Sequence, residues 1–547
     1  MIEPTTTGTG LLLALTIAFP LILAVSLAWR GARDNLPFLI AAAPVPALLV
    51  AIAGGEARFA MPGPFRLTLA LDSPGAMLLG AAAILWIAAG LYAPSYWQGG
   101  SKLPRAALWW LLTLTGSLGV FAADDLVSFY LLFSLVSLAA YGLVVLDGNS
   151  SVRRAGKIYV AFAVLGEAFL LMAFVLLASA EPSGSLAISD VVSALPWSPW
   201  RDWTIALLIL GFGTKMAQLP LHVWMPLSYR ATPIPAVAAL SGAAVKAGVI
   251  GLIRFLPFDM GSVPWGEALT VLGFATAFYG VAIGITQTHP KVILAYSSIS
   301  QMGVIAAVLG MGLAASRASV PTEVAFYAVG HLLAKGALFL LVGVVAATGR
   351  WRLTPILVPA AIVALGIAGL PLTGGGLAKI AVKDMLGYGL AGTLGKLSAV
   401  ASALLMIHFL RQLTAMAPPG DEPAPLRLRI IGWAIAAASI LVPWILFPAT
   451  GYGLGDVVSP SALFDGLWPI ALGGVMALAL RRWGGRLPAI PPGDILIPAR
   501  RLGPLAMAVS AGMERTEARL REWPVAGAIF LALVLATSLA MYLAGMR

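Results

Sequence analysis

GFGTKMAQLPLHVWMPLSYRATPIPAVAALSGAAVKAGVIGLIR, residues 211–254, decides how the rest of the chain is read. It sets two lysines, Lys215 and Lys246, inside runs that are otherwise apolar enough to lie within a bilayer. A charge at membrane depth costs roughly 2.5–3.5 kcal/mol on insertion scales and more in simulations, so an intramembrane lysine is a functional candidate by default. Pro220 follows Lys215 closely. It cannot donate to the Met216 carbonyl and its ring crowds that carbonyl, so a helix break is expected one turn from the lysine. Broken helices at membrane depth are tolerated where they line a protein-enclosed or watery cavity. A buried cation beside a helix break is a recurrent way of building an ion pathway, and the stretch reads as part of a membrane ion-translocating subunit.

Composition supports the membrane setting. Of 547 residues, 60% are hydrophobic and 10% charged, with a mean hydropathy of +0.94; soluble domains carry about 25% charged residues. Apolar runs of about 20 residues, each long enough to cross a bilayer, recur from end to end. The expected fold class is all-α, a polytopic membrane protein of about 16 transmembrane helices. The chain has no cysteine, which excludes disulfides and argues against an iron–sulfur cluster. Four scattered histidines without a Cys/His/Asp/Glu cluster argue against a dedicated metal site. No cofactor is expected, and no catalytic site stands on this chain. Any redox or carbon chemistry belongs to partners.

The expected spans fall near 9–29, 35–54, 75–95, 104–122, 126–146, 157–180, 203–222, 235–257, 266–286, 292–314, 323–348, 355–385, 391–414, 428–448, 463–480 and 525–545. The N-terminal stretch lacks a basic n-region and a small-residue cleavage site, so it reads as a retained span rather than a signal peptide. Loops alternate in charge. One set is basic, from Arg30 and Arg33 through Arg153 and Arg154 to Arg350, Arg427 and Arg481; the other is acidic, as at Asp124, Glu181 and Asp456. Basic loops stay in the cytoplasm, which places both termini on the non-cytoplasmic side of a bacterial-type inner membrane. Arg58, Arg66, Arg201 and Arg317 are isolated exceptions. The net charge of +11 therefore encodes topology, and nucleic acid is not an expected partner. Residues 499–523 are dense in arginine with interleaved apolar residues. They read either as an amphipathic surface segment, suited to headgroups or a neighbouring subunit, or as a solvated connector.

VALGIAGLPLTGGGLAKIAVKDML, residues 363–386, repeats the logic of the opening stretch. Pro371 with Gly374 and Gly375 is expected to break a span, and Lys379 and Lys383 follow. Spacing of four puts these lysines on one helix face, where like charges repel; Lys383 either joins that pair or reaches toward water at the helix end. No Gly-Lys-Ser/Thr follows the glycines, so they are not a phosphate cradle. Two broken, lysine-bearing helices in corresponding positions point to inverted repeats of five helices each. The domains expected are residues 1–100 (three N-terminal helices), 101–258 (first repeat), 259–416 (second repeat) and 417–547 (C-terminal helices). Between the breaks, His331 and Lys335 share a helix face in GHLLAKGALFLLVGVV, and the hydroxyls and Gln301 of HPKVILAYSSISQMG are placed to hydrogen-bond between helices or to hold water; upstream of both breaks, Glu167 stands alone in VLGEAFLLMAF. In order, Glu167, Lys215, Lys246, His331, Lys335, Lys379 and Lys383 form a polar series that can relay protons if waters bridge it.

KMAQLPLHVWMP, PAVAALSGAAVKAG, ILAYSSISQMG, HLLAKGALFL and GLPLTGGGLAK resemble the successive signatures of the antiporter-like, proton-conducting membrane subunits. That family includes the large membrane subunits of respiratory complex I, Mrp cation/proton antiporter subunits, the membrane subunits of group 4 hydrogenases and formate hydrogenlyase, and some inorganic-carbon uptake subunits. The resemblance covers roughly residues 75–415. It implies broken helices 7 and 12 and assigns Lys215 to helix 7, Lys246 to helix 8, His331 and Lys335 to helix 11, and Lys379 to helix 12 near the exit. It also implies other membrane subunits as partners, with H⁺ as the moved ion and Na⁺ left open.

One position departs from the family. Where relatives carry a glutamate in a stretch similar to FYLLFELMSLASY, this chain has FYLLFSLVSLAAY, with Ser134 in its place. Glu167, one helix on, stands where relatives of the largest complex I subunit carry an acid; it either substitutes for the missing glutamate or pairs statically with a basic neighbour. His289 likewise stands where the family usually has an acid, and His222 and His408 receive no role. Three functions follow: a proton-translocating subunit, an Mrp-like Na⁺/H⁺ antiporter subunit, or a non-conducting scaffold that docks a catalytic partner.

Overall fold

A computed structural model describes residues 8–54, 57–61, 67–97, 102–387, 389–484, 487–488 and 490–493. The chain divides between Pro492 and Gly493, and the described residues up to Pro492 form one compact unit. The expected span at 525–545 and the amphipathic stretch at 499–523 lie outside the described residues.

The chain is an all-α polytopic membrane protein, with 12 helices among the described residues long and apolar enough to cross a bilayer. Every expected span up to 463–480 coincides with a helix or a run of shorter helices. Three spans, Ile234–Phe255, Pro290–Ala314 and Val320–Ala346, are buried on all sides along their apolar windows, whereas Pro460–Trp483 on the perimeter is largely exposed. A helix that is apolar all round belongs either in a core or against lipid, and the small and polar residues of the first three fit a protein-enclosed centre. Helix Val263–Gly284 lies against Pro290–Ala314 with backbones nearly touching. A Cβ added at Gly266, Gly273 or Gly280 would meet the backbone of Gly310, of Gly303 and Ala307, or of Tyr296 and Ser300, respectively. Small residues at seven-residue intervals permit that approach, and van der Waals packing drives it where no hydrophobic effect operates.

The second and third spans are joined by an antiparallel hairpin, Arg58–Met61 with Leu67–Ala70, in which Arg58 pairs with Ala70. Sequence reading did not anticipate it, the strands being only four residues each. Nearby, the buried Arg254 side chain pairs with Asp72 at 2.8 Å and donates to the Phe121 carbonyl at 2.7 Å, tying the end of the Ile234–Phe255 span to the loop before Leu126–Val144.

The helix breaks differ in detail from expectation. Helix Arg201–Lys215 ends at the lysine itself, not a turn beyond it. Ala217 turns in the left-handed region (φ 56°), the Gln218 amide donates to the Gly213 carbonyl, and the next helix begins at Trp224. Pro220 thus lies in the connector, where the chain has already left the helix. In the second break, Thr354–Ala368 ends in Gly369 (φ 109°), with the Leu370 amide bonded to the Leu365 carbonyl, a glycine-terminated helix end that needs no Cβ. Thr373 then caps the new helix through the Gly376 amide. Gly374 and Gly375 therefore open helix Gly374–Ala381 and are not part of the break, which runs from Gly369 to Thr373 with Pro371 inside it. A third irregularity was not expected: Leu240–Ala244 is a π-helical turn directly before Lys246.

Candidate functional site

Lys215 occupies the last turn of its half-helix, where exposed carbonyls favour a cation. Its Nζ donates to Ser137 Oγ at 2.9 Å and stands 5.6 Å from the centre of the Phe133 ring. Glu167 is buried on the neighbouring helix Ser150–Ala180. Its carboxyl lies beside the Ser134 hydroxyl and within electrostatic reach of Lys215. Its Oε1 has no hydrogen-bond partner, and neither does Ser134 Oγ. Two small cavities adjoin the lysine. One, of about 20 Å³, is lined by Ser137, Tyr159, Gly166 and Thr214 and has room for one water. The other, of about 10 Å³, is bounded by Tyr159, Tyr229, Ala244 and Val245, on the side of the π turn that leads to Lys246.

Lys246 is fully buried, and its Nζ lies 2.8 Å from His331 Nδ1. His331 Nε2 has no partner. One turn along the same helix, the fully buried Lys335 donates to the Leu294 carbonyl at 3.1 Å, which also accepts from Ser298 Oγ at 3.0 Å. Beside this row, Tyr327 donates to Gln301 Oε1 at 2.7 Å and Gln301 Nε2 donates to Ser402 Oγ at 3.0 Å. Gln301 thus bridges three helices, as its sequence context led one to expect.

Lys379 reaches back from Gly374–Ala381 to the Ala368 carbonyl, the end of the preceding half-helix. The two break lysines therefore share one arrangement, each at the carbonyl end of a half-helix, although Lys215 belongs to the half before its break and Lys379 to the half after. Lys383 does not join Lys379 on one face. A turn at Val382 separates them, and Lys383 points to an exposed pair with Asp456 at 3.8 Å and to the Tyr452 ring at 4.7 Å. The distribution of water explains this: a lysine at a helix end reaches solvent by its own length.

The structure brings Lys246 and His331 into contact and sets Glu167 beside Ser134, within electrostatic reach of Lys215. Among the described residues no direct hydrogen bond links Lys215 to Lys246 or Lys335 to Lys379, so any transfer between them requires water. Ser137 is the site residue that sequence reading missed. The only available signal was its position on the same helix, one turn beyond Ser134. The remaining histidines lie apart: His222 packs edge-on against Tyr279, His408 Nε2 lies 2.7 Å from the Gln287 carbonyl, and His289 accepts the Lys291 amide as a helix cap. Burial, with Lys291 and Arg230 adding to it, pushes the His289 imidazole down to about 4, so it caps as a neutral ring. No group of three metal-ligating side chains occurs among the described residues.

Comparison with known proteins gives consistent matches. The family model described as NADH:quinone oxidoreductase/Mrp antiporter, transmembrane, matches residues 123–402. NADH-quinone oxidoreductase subunit N of Desulforudis audaxviator is 30% identical over 434 residues, 73% of this chain and 82% of that protein. Hydrogenase-4 component B of Escherichia coli is 29% identical over 305 residues, and Na(+)/H(+) antiporter subunit A1 of Staphylococcus aureus 30% over 315. The chain spans only 45% and 39% of the length of these two. Among solved structures, the Mrp complex from Dietzia sp. DQ12-45-1b has a chain that matches 99% of this one with a TM-score of 0.77 at 21% identity, this chain covering 63% of it. A chain of the archaeal membrane-bound sulfane sulfur reductase matches 97% of this one, over its own full length, with a TM-score of 0.69 at 22% identity. These two likenesses concern the fold.

Proposed function

This chain belongs to the NADH:quinone oxidoreductase/Mrp antiporter transmembrane family, and on that premise we propose that it translocates protons within a multisubunit membrane complex. Its relatives are subunits of such complexes, so other membrane subunits are its partners. The observation that carries the proposal is the buried row Lys215, Lys246–His331 and Lys335, with Lys379 at the second helix break. Amines buried in membrane spans are costly, and for that reason are functional candidates by default. The 2.8 Å contact between Lys246 and His331 lets one proton be shared directly. Elsewhere the carriers are waters, for which the larger cavity beside Lys215 has room.

In this reading Glu167 is the acid that works with Lys215 in place of the absent glutamate at Ser134. The carboxyl is buried, within reach of the lysine and not committed to a hydrogen bond through Oε1. A proton passing along the row would alternately load Lys215 and release it toward Lys246 across the π turn, then leave by Lys379, with Lys383 at the outlet. Residues 101–258 and 259–416 would be the two inverted repeats, one break lysine to each. The basic loops would face the cytoplasm of a bacterial-type cell, with both termini on the other side. Na⁺ exchange is a variant of the same proposal. Ser134 favours a second reading, a scaffold that has lost conduction.

The test is proton uptake by proteoliposomes carrying the purified complex, driven by its native reaction or an imposed gradient. Lys215→Ala and Glu167→Gln are expected to abolish uptake while the complex stays assembled. If both leave it unchanged and Ser134→Glu raises it, the scaffold reading holds.

A further inference from the structure

On the perimeter, away from the lysine row, a groove of about 870 Å³ runs between helix Gly8–Ser26, the span Leu36–Ala53 and helix Ser73–Trp97. Its walls are apolar, with Phe19, Phe38, Val45, Leu49 and Leu91 among them, and its one charged lining residue is Arg427. The groove has a structural cause. Leu36–Ala53 is not one rod: Leu36–Ala42 and Val45–Ala53 are separate helices with Pro44 between them, and a proline there removes a backbone bond and kinks the span. Helix Gly8–Ser26 packs on the Val45–Ala53 half and parts from Leu36–Ala42, leaving the groove open where Phe38 and Arg427 lie.

Arg427 stands at the start of helix Leu426–Leu446, in one of the arginine-bearing loops. Its side chain is exposed and has no ion-pair partner among the described residues. An apolar channel within the span of the membrane that ends in an unpaired guanidinium is complementary to one kind of molecule. Acyl chains fill the walls, and a phosphate takes the guanidinium in a planar, bidentate contact. Basic pockets between transmembrane helices on the arginine-rich side take anionic headgroups for this reason. We propose that the groove is a binding site for an anionic phospholipid, with its phosphate on Arg427 and its chains between the first three spans. The site is independent of the proton row and would persist in a non-conducting subunit.

The experiment uses the full chain purified with its membrane partners in detergent. Retained lipid is read by native mass spectrometry, and the shift in thermal midpoint is measured on adding phosphatidylglycerol or phosphatidylethanolamine. Wild type is expected to retain phosphatidylglycerol and to be stabilised by it in preference to phosphatidylethanolamine. Arg427→Ala is expected to weaken that response about tenfold, the scale of one charge-assisted hydrogen bond, and Arg427→Lys to keep part of it. Val45→Trp, which fills the groove with Arg427 intact, is expected to remove the response. Equal stabilisation by both lipids, or an unchanged response in Arg427→Ala, overturns the site. So does cross-linking of a Val45→Cys variant to the C-terminal 494–547 stretch or to another subunit, since protein then covers the groove. The chain has no native cysteine to confuse that result.

Discussion

Lys215 is held by a hydroxyl, not by a carboxylate: Ser137 receives its one described hydrogen bond, while Glu167 acts on it through space. In the proposed relay, that division would make Ser137 a positioning residue with a testable signature. Ser137→Ala is expected to slow proton uptake roughly tenfold, the scale of a lost hydrogen bond to a charged group, without lowering the yield of assembled complex. Ser137→Thr keeps the hydroxyl and is expected to restore most of the rate. Unchanged uptake in Ser137→Ala would remove Ser137 from the site. The lysines and Glu167 were legible in the sequence because a charge in an apolar run is expensive and therefore conspicuous. Ser137 was not, since a serine inside a membrane helix can satisfy itself on the preceding turn and announces nothing. The fate of Lys383 was equally hidden: spacing of four defines a shared face only while the helix continues, and it ends at Ala381.

Among the elements, proline and glycine announced that spans would break but not where. Helix Arg201–Lys215 stops before Pro220 acts, and Gly374–Gly376, which look like breakers, begin a helix once Thr373 caps it. Propensity is a weak prior that capping and packing override. The π turn at Leu240–Ala244 has no compositional mark at all. The glycine ladder between Val263–Gly284 and Pro290–Ala314 was not read in the sequence, since a seven-residue recurrence of glycine names no partner without the fold. Gly273→Leu is expected to destabilise the protein by more than the about 1–3 kcal/mol of ordinary overpacking, because the obstructing atoms are backbone. Gly273→Ala should fall between. Thermal unfolding of the purified complex checks this, and an unshifted midpoint for Gly273→Leu would show that the helices are not locked there.

For the whole molecule, the sequence carried the fold class and, up to the span at 463–480, the order of spans and their approximate limits, because a bilayer demands runs of fixed length. The arrangement around three enclosed helices is a tertiary fact that no single run encodes. The alternation of basic and acidic loops makes a further prediction at this scale. Single cysteines placed at Trp351, beside Arg350 and Arg352, and at Glu181 are expected to react with a membrane-impermeant thiol reagent from opposite sides of sealed vesicles. Labelling from the same side would mean that the number of crossings between them is even and the orientation scheme wrong.

The interlocked pair Val263–Gly284 and Pro290–Ala314 also has a mechanical meaning. Two rods whose backbones mesh at three levels resist bending and sliding, so together they behave as a beam. Lys335 is anchored to that beam through the Leu294 carbonyl. In the proposed transport, stiffness at this place would leave motion to water, the other side chains and the broken helices, with Lys335 held against the beam.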